Sequence, residues 1–165
     1  MSKRQPSEVF MPPNMLKAKV GGTIAGLDMA AITRAEKAME SLKEEFSDWI
    51  VKDIARLEEA NIAFLEDNSA AHAEDLFRAS HDIKGQATTF EYPLIARVAA
   101  SLSKLIDELG DPEMIPLALV EAHVDAIRVI HRDKIKDISD LIALTLVEEL
   151  EANVVKTLAR ASHKG

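Results

Sequence analysis

Apolar side chains recur at steps of three and four residues along most of the chain, from about residue 31 to residue 162. This spacing is the period of an amphipathic α-helix. It predicts five helical segments, at about 31–67, 70–90, 93–109, 116–136 and 140–162. The first is unusually long and contains two pairs with capping-box spacing, Thr33 with Glu36 and Ser41 with Glu44. It is therefore either one long helix or two helices that break near Ser41.

Residues that start and stop helices separate the segments. Asp67-Asn68-Ser69 offers polar caps for the second segment, and Pro93 suits the first turn of the third. Pro116 fits only near the start of the fourth, because proline deep in a helix removes a hydrogen bond. The fifth segment has Asp137 or Ser139 as its cap.

The apolar stripe of each segment predicts which side chains face the core. In the first segment these are Ile32, Ala35, Met39, Leu42, Phe46, Trp49, Ile50, Ile54, Leu57 and Phe64. In the last three they are Leu94, Ile95, Val98, Leu102, Leu105, Ile106, Leu117, Val120, Val124, Ile127, Leu144, Val147, Leu150, Val154 and Leu158. Loops of two to six residues join antiparallel neighbours. The predicted fold is all-α, an antiparallel up-and-down four-helix bundle with an additional N-terminal segment or helix.

The N-terminal region has a different composition. Half of the prolines and half of the glycines precede residue 27, and four basic residues there accompany one acidic residue, Glu8. Such a stretch has little helix propensity. We therefore predict a basic arm over residues 1–28, either disordered or packed on the bundle through its apolar side chains, and a helical domain over 29–165.

Composition and charge exclude several classes of function. The 165 residues carry a net charge of −8, which argues against sequence-independent binding to nucleic acid. There is no cysteine, so disulfides, thiolate chemistry and cysteine-ligated metals are excluded. No apolar run is long enough to span a membrane, and no secretory signal follows the N-terminal basic residues. We expect a cytoplasmic protein.

One stretch of the second segment, residues 80–90, carries the candidate chemistry. On a helix, Leu76, Ile83, Ala87 and Phe90 fall on one face, and His81 lies about 140° from that stripe. A structural histidine would be expected to point toward the stripe. His81 is therefore predicted to be presented to solvent.

The neighbours of His81 suggest what it is presented to. Lys84 lies one helical turn further on, within reach of a negative charge on the imidazole. Gly85 costs a helix interior about 1 kcal/mol relative to alanine, but it lets another macromolecule approach closely. Spacing alone leaves two interpretations open. The stretch is either a phosphoryl-accepting histidine with a docking surface, or a solvated helix face in which the glycine has no function.

The same stretch resembles the signature of histidine phosphotransfer domains, roughly H-x-[IL]-K-G-x-[AS]-x-x-[FLI]. The matching residues are His81, Ile83, Lys84, Gly85, Ala87 and Phe90. Many members of the family carry glycine at the next position, where this chain has Glu91. The helical pattern around the motif extends the resemblance over about residues 30–162.

The resemblance implies a phosphoryl carrier of two-component phosphorelays. His81 would accept a phosphoryl group through Nε2 from a receiver-domain aspartate or a sensor or hybrid kinase, and pass it to a response regulator. Lys84 would stabilise the phosphorylated histidine, and Gly85 would leave room for the partner. The Mg²⁺ would be bound by the partner receiver domain, so the carrier needs no cofactor of its own. Docking contacts are expected from Ala73, Phe77, Arg78 and Thr88.

No other histidine forms a comparable constellation. His72 and His163 are expected to be solvated, and His131 to pack at the edge of the core. His123 and His131 are eight residues apart, which is not the four-residue spacing of a zinc site, so no metal site is expected. Motifs for binding nucleotide or for forming an oxyanion hole do not occur. The chain is therefore expected to be a carrier rather than an enzyme.

Two alternatives remain open. The run His81-Asp82-Ile83-Lys84 also matches the phosphoacceptor helix of histidine kinases, but that motif has proline where this chain has Gln86. The kinase would also need an ATP-binding domain, for which no residues follow position 165. The other alternative is a helical adaptor that binds receiver domains without being phosphorylated. A phosphotransfer domain is expected to be monomeric, whereas the kinase helix pair dimerises.

Overall fold

The computed structural model of the chain describes residues 24–165. The predicted basic arm, except for residues 24–28, lies outside the described residues. Two compact units are distinguished, Met1–Glu45 and Phe46–Gly165.

The described residues form five α-helices and no strand. They are α1 (Ile24–Glu66), α2 (Ala70–Thr89), α3 (Pro93–Leu109), α4 (Leu117–Arg132) and α5 (Leu141–Ser162), with a short 3₁₀ turn at Pro112–Met114. The prediction of an all-α fold is confirmed. No break occurs near Ser41, because α1 is one continuous helix, and the histidine segment is therefore the second helix among the residues that the structure describes.

Helix α3 lies at the centre of the second unit, where it packs against α2, α4 and α5. The six side chains that the sequence assigned to its core face are all buried: Leu94, Ile95, Val98, Leu102, Leu105 and Ile106. Three-residue connections before α2 and before α3 reverse the chain direction, so that consecutive helices run side by side. Ser69 caps α2, because its side chain accepts a hydrogen bond from the backbone of His72 at 3.3 Å.

The apolar stripe of α1 has two different environments. In the second unit, Phe46, Ile50, Ile54, Leu57 and Phe64 are buried in the core, as predicted. In the first unit, every described side chain from Asp28 to Glu45 is exposed. The prediction of a core-facing position is therefore wrong for Ile32, Ala35, Met39 and Leu42. It is also wrong for Trp49, which is 49% exposed. Periodicity indicates an amphipathic helix, but it does not say whether anything covers the apolar face.

Two predicted boundaries near the C-terminus also need correction. Helix α4 ends at Arg132 rather than near residue 136, because Lys134 has a positive φ of 52° and the Ile135 amide returns to the Ile130 carbonyl at 3.0 Å. Asp140, rather than Asp137 or Ser139, caps α5 by accepting from the Ala143 amide at 3.0 Å. Leu117, predicted to face the core, is exposed.

The end of α2 explains the departure from the family signature at Glu91. Glu91 has a φ of 66°, and the Tyr92 amide donates to the Ala87 carbonyl at 3.2 Å. This is a Schellman ending, in which the left-handed position favours glycine because a side chain there is strained. The turn also brings Phe90 onto Phe46, with ring centroids 3.6 Å apart. Glu91 therefore keeps the geometry that glycine usually provides, at a conformational cost.

We predict that Glu91→Gly stabilises the protein by about 0.5–1 kcal/mol, because relief of the left-handed strain exceeds the extra entropy of the unfolded chain. Chemical denaturation of the variant and the wild type measures the difference. The matched control is Glu149→Gly within α5, which should destabilise by about 1 kcal/mol because it lies in a regular helix. Destabilisation of both variants would contradict the assigned strain.

His123 is a fully buried structural histidine of α4. Its Nδ1 lies 2.7 Å from the Leu119 carbonyl oxygen, which can only accept, so Nδ1 carries the proton. Its Nε2 then accepts from the Ser101 hydroxyl of α3 at 3.0 Å. Burial lowers the pKa of His123, because the charged ring would lose its hydration.

A lowered pKa makes stability depend on pH with a defined sign. The unfolded chain binds the proton at its ordinary pKa of 6.5, before the folded protein does. The contribution of His123 is therefore fully present above that pH and is lost as the pH falls below it, by at most about 1.4 kcal/mol per pH unit. Urea denaturation between pH 7.5 and 5 should show a shallower decline for His123→Gln than for wild type. Parallel profiles would contradict this role.

Candidate functional site

His81 lies in the middle of α2 on the solvent side of the helix. The opposite face is buried against the bundle and consists of Ala73, Leu76, Ala79, Ser80, Ile83 and Ala87. His81 itself is exposed. The predicted orientation of the histidine, away from the apolar stripe, is confirmed.

The backbone that carries His81 is fixed from below by buried hydroxyls. Ser80 is fully buried, and its Oγ donates to the Phe77 carbonyl at 2.9 Å. The same oxygen accepts from Ser103 Oγ of α3 at 3.1 Å. Ser103 Oγ also lies 2.8 Å from the Ala99 carbonyl. These contacts satisfy the polar groups directly beneath the histidine and connect its turn to the central helix.

The imidazole of His81 is open to a partner. Within residues 24–165 neither ring nitrogen has a hydrogen-bond partner, and the nearest ring is that of the half-buried Phe77, with centroids 5.8 Å apart. Because no side chain restrains the ring, either nitrogen can act as a nucleophile toward a molecule that approaches from solvent.

Lys84 and Gly85 lie on the same exposed part of α2. Lys84 forms no ion pair with any residue of the described chain, so its charge is available at the surface. A Cβ placed on Gly85 would meet no described atom within 4 Å. The fold therefore does not require glycine at this position. The missing side chain leaves space on the solvent side, next to the histidine.

Two carboxylates of α2 in the region of His81 are paired with arginines. Asp82 forms an ion pair with Arg56 of α1, and Glu74 accepts from Arg78 Nε at 2.9 Å within α2. A groove of about 640 Å³ runs between α1 and α2 and is lined in part by Arg56, Arg78 and Asp82. Asp82 and Glu74 are thus compensated, whereas among the described residues Lys84 forms no ion pair, and neither do Glu59 and Asp75, which also line the groove.

Deeper in the same region, α1 contributes a half-buried carboxyl group. Burial raises the pKa of Asp53 and the negative charge of Asp82 adds to this shift, whereas Arg56 and a hydrogen bond with the Gln86 side chain oppose it. Asp53 Oδ2 and Gln86 Oε1 are both buried, and neither has a hydrogen-bond partner among the described residues. Asp53 lies about one turn before Arg56 on α1, and Gln86 lies about one turn after Asp82 on α2.

The predicted docking residues have different environments. Phe77 is half-buried, and Arg78 and Thr88 are exposed, with Thr88 Oγ1 donating to the Lys84 carbonyl at 2.8 Å. Ala73 is only 7% exposed, so its assignment to an exposed docking patch is wrong. It begins the buried stripe three residues before Leu76 and therefore packs in the core.

Sequence reasoning did not identify Arg56, Asp53 or Gln86 as neighbours of the histidine region. Arg56 and Asp82 are 26 positions apart, and an exposed arginine on a charged helix carries no local signal of its partner. Of the other histidines, His131 agrees with expectation, because it is half-buried, with its ring centroid 6.0 Å from that of Tyr92. His72, expected to be solvated, is half-buried, and its Nδ1 lies 2.8 Å from the Asp67 carbonyl oxygen.

Two further features concern the described residues alone. From residue 24 onward, no three histidine, aspartate or glutamate side chains come together as metal ligands would. Over the same part of the chain, no helix has the length and apolarity needed to cross a bilayer.

A helical bundle that presents an unrestrained histidine beside a lysine and a glycine defines a class of signalling domain. The family model of the Hpt domain matches residues 41–130, more than half of the chain. The protein belongs to the Hpt domain family. The match begins within α1, includes all of α2 and α3, and ends two residues before the end of α4. No curated protein and no solved structure matched the chain.

Membership of this family gives a general function. Hpt domains take part in phosphotransfer in two-component signalling, as phosphoryl carriers that interact with receiver domains and kinases. The matched region contains the whole exposed surface around His81.

Proposed function

We propose that this protein is a phosphorelay intermediate in which His81 accepts a phosphoryl group from a receiver-domain aspartate or a sensor kinase. His81 then passes the group to the aspartate of a response regulator. The main support is the exposed imidazole of His81, which lies on the family motif beside Gly85, an open position, and beside Lys84, which forms no ion pair with the described residues.

The transfer is a substitution at phosphorus. The Nε2 lone pair of the neutral imidazole forms the N–P bond, while the bond between phosphorus and the receiver's aspartate oxygen breaks. The electron pair of that bond leaves with the aspartate carboxylate. The proton on Nδ1 stays on the ring or is released to water. The second transfer reverses these events toward another receiver aspartate.

Such a reaction depends mainly on in-line positioning and on compensation of charge. Lys84 lies one turn from His81, where its ammonium group can bind the oxygens of the phosphoryl group. The Mg²⁺ ion that the chemistry uses would be bound by the partner receiver domain, so the carrier contributes no metal ligand. The partner's loops would pass over Gly85, where a side chain would obstruct them.

The other expectations from sequence are carried forward as part of this proposal. The protein acts as a monomer in the cytoplasm, binds no nucleic acid, and docks its partners through the surface that contains Phe77, Arg78 and Thr88. These residues border His81 on α2, and Arg78 also lines the groove toward α1. Light scattering of the purified full chain measures the oligomeric state directly.

We predict that His81→Gln abolishes the acid-labile, base-stable phosphoryl label that the wild type acquires from a phosphorylated receiver domain. The variant should bind the receiver normally, because Gln is close in size and the position is exposed. The matched control is His72→Gln in the same helix, which should retain the label. A label that survives in His81→Gln would refute the assignment. If signalling in cells also survives, the adaptor alternative would explain the protein.

We predict that two substitutions of Gly85 separate stability from docking. Gly85→Ala should raise the free energy of unfolding by about 1 kcal/mol, because the new methyl group enters open space and helix propensity improves. Gly85→Leu should lower the transfer rate on the order of tenfold to a hundredfold, because its side chain displaces the partner. Circular dichroism controls for helical content. Undiminished transfer by Gly85→Leu would rule out the docking role of the gap.

A further inference from the structure

Arg56 and Asp82 form an ion pair that joins α1 to α2 directly beside the histidine. Asp82 is the next residue after His81, and Arg56 Nη2 contacts its Oδ2. Both side chains are about half exposed, at 51% and 47%. Exposed ion pairs contribute little to stability, because both charges are well hydrated without each other. The position of this pair beside the histidine therefore matters more than its strength.

The charges around His81 give the pair an electrostatic role. A phosphoryl donor carries negative charge, so an unpaired carboxylate next to the nucleophile would repel it. Arg56 neutralises Asp82 and holds its carboxylate toward α1. Arg78, one turn before Asp82 on the same helix, is already bound to Glu74 and does not take this place. Lys84, which forms no ion pair with the described residues, then provides a positive charge one turn from the imidazole.

We propose that Arg56 is a positioning residue of the His81 site, which neutralises Asp82 and holds it against α1, so that the carboxylate next to His81 does not repel an anionic phosphoryl donor. This inference rests on the proposed role of His81 as a phosphoacceptor. Arg56 acts through Asp82 and does not contact the reacting atoms. The role belongs to α1, a helix outside the local motif, and it connects that helix to the rate of the reaction.

The test compares Arg56→Gln, Asp82→Asn and the double variant in the full-length protein. Two phosphoryl donors are used, a phosphorylated receiver domain and the small anion phosphoramidate. With phosphoramidate, Nε2 forms the N–P bond, the N–P bond of the donor breaks, and ammonia leaves. Because phosphoramidate needs no docking partner, it reports on the charge near His81 even if the chosen receiver does not transfer to this protein.

We expect Arg56→Gln to slow labelling of His81 by roughly three- to tenfold with both donors at low ionic strength, since one uncompensated charge then faces the donor. Added salt should reduce this deficit, because the effect acts between exposed charges. Asp82→Asn should react at least as fast as wild type. The double variant should recover the wild-type rate, because the carboxylate that Arg56 neutralises is gone.

The matched control is Arg128→Gln on α4, which removes the exposed ion pairs of Arg128 with Glu58 of α1 and with Asp125 of α4, and leaves α2 unaltered. It should leave the labelling rate unchanged. An unchanged rate in Arg56→Gln would overturn the proposal, and so would a double variant as slow as Arg56→Gln, which would indicate a structural role. If Arg56→Gln loses helical content, Arg56→Lys, which keeps the charge, should label at the wild-type rate, and a slow Arg56→Lys would contradict the proposal.

Failure of the proposed function would look different. In that case the wild type would acquire no label from receiver domains, while the ratio of rates among the variants with phosphoramidate would still decide the role of Arg56.

Discussion

The burial of one face of α2 against the central helix α3 determines the rest of the site. Leu76, Ile83 and Ala87 are almost completely removed from water, and each contributes to a stripe that a helix can bury in only one orientation. Once that face is fixed, the positions about 140° away must point to solvent. The exposure of His81 is therefore a consequence of the core. The buried hydroxyls of Ser80 and Ser103 fix the same orientation through hydrogen bonds.

This arrangement explains which parts were predictable from sequence. The order and approximate positions of the helices from Ala70 onward, the core face of α3 and the orientation of His81 follow from local periodicity and capping residues. The exposure of the apolar stripe in the first part of α1 could not be predicted, because an apolar face has the same helical period whether or not it is covered. The ion pair between Arg56 and Asp82 could not be predicted either, since it depends on how α1 packs on α2. Ala73 was misplaced because its small side chain gives a weak apolar signal at the start of the stripe.

The end of α2 shows how a motif can tolerate a departure. The left-handed residue after Phe90 is required by the turn that brings Phe90 onto Phe46, whatever residue occupies the position. Glycine enters that conformation without strain, whereas Glu91 does so at the expense of stability. The strained residue lies one turn or more beyond Gly85 and makes no contact with the histidine. The departure at Glu91 thus affects the stability of the helix ending, while the chemical part of the motif is unchanged.

The proposed carrier role sets a limit on what the site can contain. A histidine that exchanges a phosphoryl group with more than one partner must be reached by each of them at the same nitrogen, so the protein cannot enclose it. A site without an enclosure does not exclude water, and this leaves position and charge as its main contributions. The surroundings of His81 have this character. The backbone beneath it is fixed, the neighbouring carboxylate is neutralised by Arg56, Lys84 is unpaired within the described chain, and Gly85 leaves space. Each of these features makes it easier for a partner to reach His81, and none of them holds the partner in place after the transfer.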